Sequence, residues 1–291
     1  MGLGDTLLLG FIAGVTILLG MPLGRVRGLS PSVRVVLNGV AVGVLLFLVW
    51  DVFSAAWEPF DAALVATHDG TGGLGPVVGY GLLFTGGLVA GLLGLVAYDR
   101  RLARSAAPRG VGPGAQSVTE RPGRAGRVGP ATWSTARRTS LMIAVGIGLH
   151  NFAEGLAIGQ ASARSEIALA TLLVVGFALH NATEGFGIVA PLADDVDEDG
   201  TVLRPSWGFL GAMALIGGGP TFVGTAIGHS FTSEPLSVLF LTLAAGSIVY
   251  VVAQLLGVAA RARRSDLLAY GLLIGMLAGF ATDAIVTAAG V

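Results

Sequence analysis

The sequence of 291 residues contains no cysteine and no lysine, and charged residues make up only 12% of it. The lack of cysteine excludes disulfides, thiolate metal sites and cysteine nucleophiles. Soluble domains average about 25% charged residues, whereas this chain is 53% hydrophobic and has a mean hydropathy of +0.79. The 17 basic residues, all arginine, nearly balance 18 acidic ones, which argues against a nucleic-acid partner. Composition therefore indicates an integral membrane protein.

Eight apolar runs are long enough to cross a lipid bilayer, which takes roughly 20 residues in a helix. They fall near residues 5–22, 34–53, 77–98, 139–161, 167–190, 207–229, 236–259 and 267–288. No basic leader precedes the first run, so we interpret it as a retained span and not as a secretory signal. The sequence thus predicts an all-α integral membrane protein with eight transmembrane helices.

The arginines indicate how the spans are oriented. If both termini lie outside the cell, 16 of the 17 arginines fall in inner loops and only Arg164 lies outside. Cytoplasmic loops of membrane proteins carry such an excess of basic residues. We therefore expect a multi-pass protein of the plasma membrane with both termini outside.

Two inner loops separate three blocks of helices. The loop 99–138 is rich in arginine, glycine and proline, and we expect it to be flexible. The loop 191–206 carries five carboxylates within residues 193–200. We interpret these as a solvated charge run, since they lack the order of a calcium-binding loop. The blocks are the first three helices (1–98), helices four and five (139–190) and the last three helices (207–291).

A polar motif recurs in the middle of the fourth and fifth spans. The sequence LHNFAEGLAIG at 149–159 is matched by LHNATEGFGIV at 179–189. Each copy spaces a histidine and a glutamate by four residues, so the pair lies on one helix face, and an asparagine reaches that face from the side. The candidate site residues are His150, Asn151, Glu154, His180, Asn181 and Glu184.

These groups need partners, because an ionisable side chain at mid-membrane costs at least ~2.5–3.5 kcal/mol. Imidazole and carboxylate together suit Zn²⁺, Fe²⁺, Mn²⁺ or Co²⁺. A site without thiolates should release its ion readily, as transport requires. Hydrogen bonds that tie the two helices together are the alternative. Two copies of the motif on adjacent antiparallel spans favour the cation site.

The doubled motif on the fourth and fifth of eight spans resembles the ZIP (Zrt/Irt-like protein) family of divalent metal transporters. The resemblance covers the whole chain in span number, the long inner loop after span three and the motif pair. It implies an inverted repeat of spans 1–3 and 6–8 around spans four and five, with an elevator-like movement. It also implies import of a divalent metal ion as transported substrate, with Zn²⁺ expected, and a homodimer. No catalytic residue is implied.

Within that resemblance, the two histidines and two glutamates match the family's main transport site. The two asparagines match positions that support it or contribute to a second metal. Many bacterial members have a proline before each glutamate, where this chain has Ala153 and Thr183. Relatives with two metals place a glutamate where this chain has Gly219, and span seven often carries one at Gln254. We therefore expect one dominant metal position.

Other polar residues extend the hypothesis. Asp51 and Asp283, near the outer ends of spans two and eight, are candidates for a vestibule that attracts cations, with solvated interfacial carboxylates as the alternative. We also expect an acidic outer loop at 54–76 that includes His68.

Two other classes of function compete with a transporter. One is an intramembrane zinc hydrolase, in which the two histidines hold Zn²⁺ and a glutamate acts as general base. The other is a proton-coupled carrier of an organic solute. No further histidine or aspartate at mid-depth is available to complete a hydrolytic site, and paired histidines and glutamates suit a metal better than a carbon skeleton.

Overall fold

The computed structural model of the protein is a bundle of long helices that pack against one another. It describes residues 1–26, 30–106, 130, 133–165, 167–196, 201–230 and 232–288. The helices are α1 (Leu3–Val15), α2 (Pro31–His68), α3 (Leu74–Ala106), α4 (Thr135–Ala163), α5 (Ile167–Val189), α6 (Trp207–Ser230), α7 (Glu234–Ala260) and α8 (Ser265–Ala288). Within the described ranges eight helical segments are long and apolar enough to cross a membrane, which confirms the predicted all-α, eight-span class.

Local sequence signals define several helix ends. The hydroxyl of Ser30 accepts a hydrogen bond from the backbone N–H of Val33 at the start of α2, and Ser134 caps α4 in the same way. Such caps satisfy N–H groups that have no partner within the helix. The first span continues beyond α1 as two 3-10 turns, Thr16–Leu19 and Met21–Arg25, so its C-terminal part is wound more tightly than its N-terminal part.

The second and third helices are longer than their apolar runs. The predicted outer loop at 54–76 is wrong for most of its length, because α2 continues to His68. Aromatic contacts support the extension: the ring of Trp57 lies 5.4 Å from that of Phe84 on α3. At the other end, α3 runs on to Ala106, which shortens the predicted loop 99–138. Residues 107–129 of that loop lie outside the described part.

The acidic inner loop is partly built into the fold. The side chain of Asp195 is buried, and its Oδ2 lies 2.8 Å from Nε of Arg137 at the start of α4. Its backbone carbonyl accepts a hydrogen bond from Leu203. The prediction of a fully solvated charge run is therefore wrong for Asp195, because a buried carboxylate is retained when a cation pairs with it. Three of the five carboxylates, at 197–199, lie outside the described residues.

Helix packing follows the expected inverted repeat. The main contacts of α2 with α8 have a counterpart in those of α3 with α7, and the contacts of α4 with α6 have one in those of α5 with α1. In the repeat, α1, α2 and α3 correspond to α6, α7 and α8, and α4 corresponds to α5. This correspondence turns the α2–α8 pair into the α7–α3 pair and the α4–α6 pair into the α5–α1 pair. The helices thus form two groups, one of α1, α4, α5 and α6 and one of α2, α3, α7 and α8.

Glycines bring the second group of helices into backbone contact. Gly39 and Gly43 of α2 face Gly271 and Gly275 of α8, and a Cβ placed at Gly43 would lie 2.9 Å from Cα of Gly275. Helix association in lipid depends on such small residues, because burial of apolar surface provides little drive there.

We expect Gly43→Ala to destabilise the protein by about 1–3 kcal/mol, because the added methyl group meets backbone that cannot yield without separating α2 from α8. Thermal unfolding in detergent measures the effect. The matched control is Gly94→Ala on α3, where a Cβ has nothing within 4 Å and alanine improves helix propensity. Equal melting temperatures for the two variants would contradict the close-packing interpretation.

Candidate metal centre

The two copies of the motif meet where α4 and α5 pack against each other. Oε1 of Glu154 lies 2.7 Å from Nε2 of His180 and 2.9 Å from Nε2 of His150. Nε2 of His150 lies 3.9 Å from Oε1 of Glu184, and the centroids of the two imidazole rings are 6.2 Å apart. The structure thus brings the four predicted side chains from two helices around one point.

This point is enclosed by the bundle. The side chains of His150, Glu154 and Glu184 are between 1% and 5% exposed, whereas that of His180 is 13% exposed. All four residues belong to the middle portions of α4 and α5. The cluster is therefore deep in the membrane-spanning bundle and opens, to a limited extent, on the His180 side.

Several atoms of the cluster that could bind a metal ion have no hydrogen-bond partner among the described residues. They are Oε2 of Glu154, both carboxylate oxygens of Glu184 and both ring nitrogens of His150. The 2.9 Å approach of His150 to Glu154 lacks hydrogen-bond alignment. Buried polar atoms without partners are costly, and a cation at this point would satisfy acceptor oxygens and imidazole nitrogens together.

The spacing of the ligand atoms suits one ion. His150, His180 and Glu184 each offer one atom, and these three atoms lie within 4.8 Å of one another. Atoms bound to one ion at about 2.0–2.2 Å lie at most about 4.4 Å apart, so only a small inward movement of these side chains is needed for all three to bind it. Glu154 lies between the two imidazoles and is placed to act as a fourth ligand. Elsewhere in the described ranges no comparable group of three histidine or acidic side chains was found.

The two asparagines fasten the motif helices to their neighbours. Nδ2 of Asn151 donates to the carbonyl of Gly217 on α6 at 3.0 Å, and Nδ2 of Asn181 donates to the carbonyl of Ala13 on α1 at 2.9 Å. The inverted repeat relates these two bonds. Each amide oxygen is buried without a hydrogen-bond partner in the described structure, so it remains available as an acceptor. The position of the asparagines beside the cluster agrees with a supporting role.

Two of the four departures from the family pattern, Gly219 and Gln254, replace a carboxylate of the relatives that bind two metals. Gly219 lines an apolar groove between α1, α4 and α6, where the nearest neighbour of an added Cβ would be Leu215 of its own helix. Gln254 is half-buried on α7. Neither position supplies a carboxylate, so the expectation of one dominant metal position remains a prediction.

A cavity of about 240 Å³ leads to the cluster between α2, α5 and α8. Asp51 and Asp283 line it, and so do His180 and Thr183. The sequence singled out both aspartates but gave no sign that they share a cavity with His180, since that depends on how α2 and α8 pack against α5. Two carboxylates therefore line the cavity that reaches His180, the most exposed residue of the cluster.

Comparison with known proteins agrees with the geometry. A family model described as ZIP Zinc transporter matches residues 116–287. The chain is 30% identical over 272 residues to the zinc transporter ZupT of Salmonella arizonae, an alignment that covers 93% of this chain and 92% of the relative. It is also 30% identical over 273 residues to ZupT of an Enterobacter species and 29% identical over 272 residues to ZupT of Escherichia coli K12, with the same coverage.

Proposed function

The chain belongs to the ZIP zinc transporter family, and from that premise we propose that its His/Glu cluster is the site through which divalent metal crosses the membrane. Membership makes the protein a multi-pass membrane transporter of divalent metal ions. It gives no support to the hydrolase alternative, because the family consists of transporters and not of enzymes. The proposal concerns three further points: the residues that bind the ion, the identity of the ion and the direction of its transport.

The main support for the proposal is that several potential metal ligands in the cluster have no hydrogen-bond partner among the described residues. His150, Glu154, His180 and Glu184 offer two imidazoles and two carboxylates, a set that fits four-coordinate Zn²⁺. Zinc is the expected ion, since the relatives are zinc transporters, while Fe²⁺, Mn²⁺, Co²⁺ and Cd²⁺ accept similar ligands. Without a thiolate, the cluster holds its ion weakly enough to release it. Asn151 and Asn181 keep α4 and α5 in register with their neighbours and offer their amide oxygens to the ion.

The route of the ion runs from the acidic cavity to the arginine-rich end of the bundle. Asp51 and Asp283 attract the cation, the cluster replaces its hydration shell, and the ion leaves on the side where the arginines collect. The distribution of arginine supports a cytoplasmic location for that side and an outer location for both termini, and in that orientation the route leads into the cell. The homodimer and the absence of a nucleic-acid partner remain predictions.

We expect His180→Ala/Glu184→Ala to abolish saturable metal influx into proteoliposomes, because it removes an imidazole and a carboxylate from the cluster. Influx of Zn²⁺, Fe²⁺, Mn²⁺, Co²⁺ and Cd²⁺ is measured in turn, beside the wild type. The matched control, His68→Ala/Glu58→Ala, removes the same two residue types from the outer end of α2 and should transport normally. Unchanged influx in the cluster variant would reject this site. A wild type that retains metal but moves none would make the cluster structural.

Neutralising the acidic cavity should slow the capture of metal without destroying the cluster. We expect Asp51→Asn to raise the KM for influx by about tenfold, at the lower end of electrostatic steering effects, and to leave maximal influx nearly unchanged. The control Glu58→Gln removes the same charge from the same helix at an exposed position that does not line the cavity. An equal effect of both substitutions would show that only general surface charge matters.

A further inference from the structure

A second cavity lies at the arginine-rich end of the bundle. It measures about 540 Å³ and lies between the end of the first span, the start of α2, the segment before α6 and the end of α7. Each of these four segments contributes an arginine to its lining, namely Arg25, Arg34, Arg204 and Arg261. No aspartate or glutamate is among the described residues that line it. Arg25, Arg34 and Arg204 therefore bring like charges from three separate parts of the chain to one cavity.

Two other arginines at this end of the bundle pair with a carboxylate. Arg137 pairs with the buried Asp195, and Arg264 forms two hydrogen bonds with Asp266. In the cavity, Arg25 instead donates to the carbonyl of Pro205 and lies over the ring of Trp207, 4.8 Å from its centroid. These contacts fix the direction of the guanidinium, and no carboxylate pairs with it among the described residues. Convergence of like charges is unfavourable unless an anion lies between them.

The remaining lining of the cavity indicates which kind of anion fits. Val26, Val202 and Leu203 belong to it and expose a large part of their apolar side chains. A small hydrated anion gains nothing from such neighbours, whereas a lipid places its acyl chains against them and its headgroup against the arginines. Basic pockets between membrane helices bind lipid headgroups in this way, and guanidinium groups form paired hydrogen bonds with phosphate.

We propose that this cavity binds the phosphate of an anionic phospholipid, held by Arg25, Arg34 and Arg204. The cavity also includes Phe186, two residues beyond Glu184 on α5. A bound phosphate therefore offsets positive charge along the route by which a cation leaves the cluster. This last consequence rests on the proposed function, whereas binding of the lipid does not.

Thermal unfolding of the full chain in detergent tests the binding directly. Phosphatidylglycerol should raise the melting temperature above that in phosphatidylcholine, since binding to the folded state stabilises it. In Arg34→Gln/Arg204→Gln the apparent affinity for phosphatidylglycerol should fall at least about tenfold, the worth of one lost charged hydrogen bond. Without anionic lipid this variant should melt no lower than the wild type, because mutual repulsion in the cavity is reduced.

The matched control is Arg138→Gln/Arg263→Gln, which removes two arginines from the same end of the bundle but not from the cavity lining. It should retain the full response to phosphatidylglycerol. An equal loss in both double variants would reduce the effect to general surface charge and overturn the proposal. Inorganic phosphate is tested as a third ligand. If phosphate alone raises the melting temperature as much as phosphatidylglycerol and then prevents any further rise by the lipid, the cavity binds soluble phosphate instead. Retained metal influx in a variant that has lost lipid binding would separate this site from the transport route.

Discussion

The burial of two histidines and two glutamates at one point between α4 and α5 is the constraint on which the structure depends. Each group is expensive in the middle of a membrane, and the helices place them so that Glu154 contacts both imidazoles while Glu184 keeps both oxygens without a hydrogen-bond partner. Removing any one group leaves the others with less compensation. A bundle that must hold these four residues together therefore needs rigid packing around α4 and α5.

Two kinds of contact provide that rigidity, and both follow the inverted repeat. Asn151 and Asn181 bond the motif helices to carbonyls of α6 and α1, so each half of the site is tied to the helix that flanks it. Glycine-lined contacts join α2 to α8 and α3 to α7 in the other group of helices. Glycines also pack against backbone in the group that carries the ligands, as Gly14 does against Gly218, and Asn38 of α2 donates to the carbonyl of Leu255 on α7, so both kinds of contact hold both groups together.

The site was largely predictable from the sequence, and its surroundings were not. A histidine and a glutamate four residues apart must share a helix face, and two copies on adjacent antiparallel spans at similar depth must meet, so the cluster follows from the spacing alone. The extension of α2 to His68 depends on aromatic contacts with α3, and the burial of Asp195 depends on Arg137. Such contacts join distant parts of the chain and leave no periodic signal in it.

The two cavities on either side of the cluster are lined by charges of opposite sign. At one end, Asp51 and Asp283 share a cavity with His180, so a cation is drawn toward the cluster by charges of opposite sign. At the other end, arginines line the cavity that begins just beyond Glu184. A cation that leaves the cluster in that direction meets charges of its own sign, which oppose its passage in either direction. An anion bound among the arginines, as proposed for this cavity, lowers that electrostatic barrier.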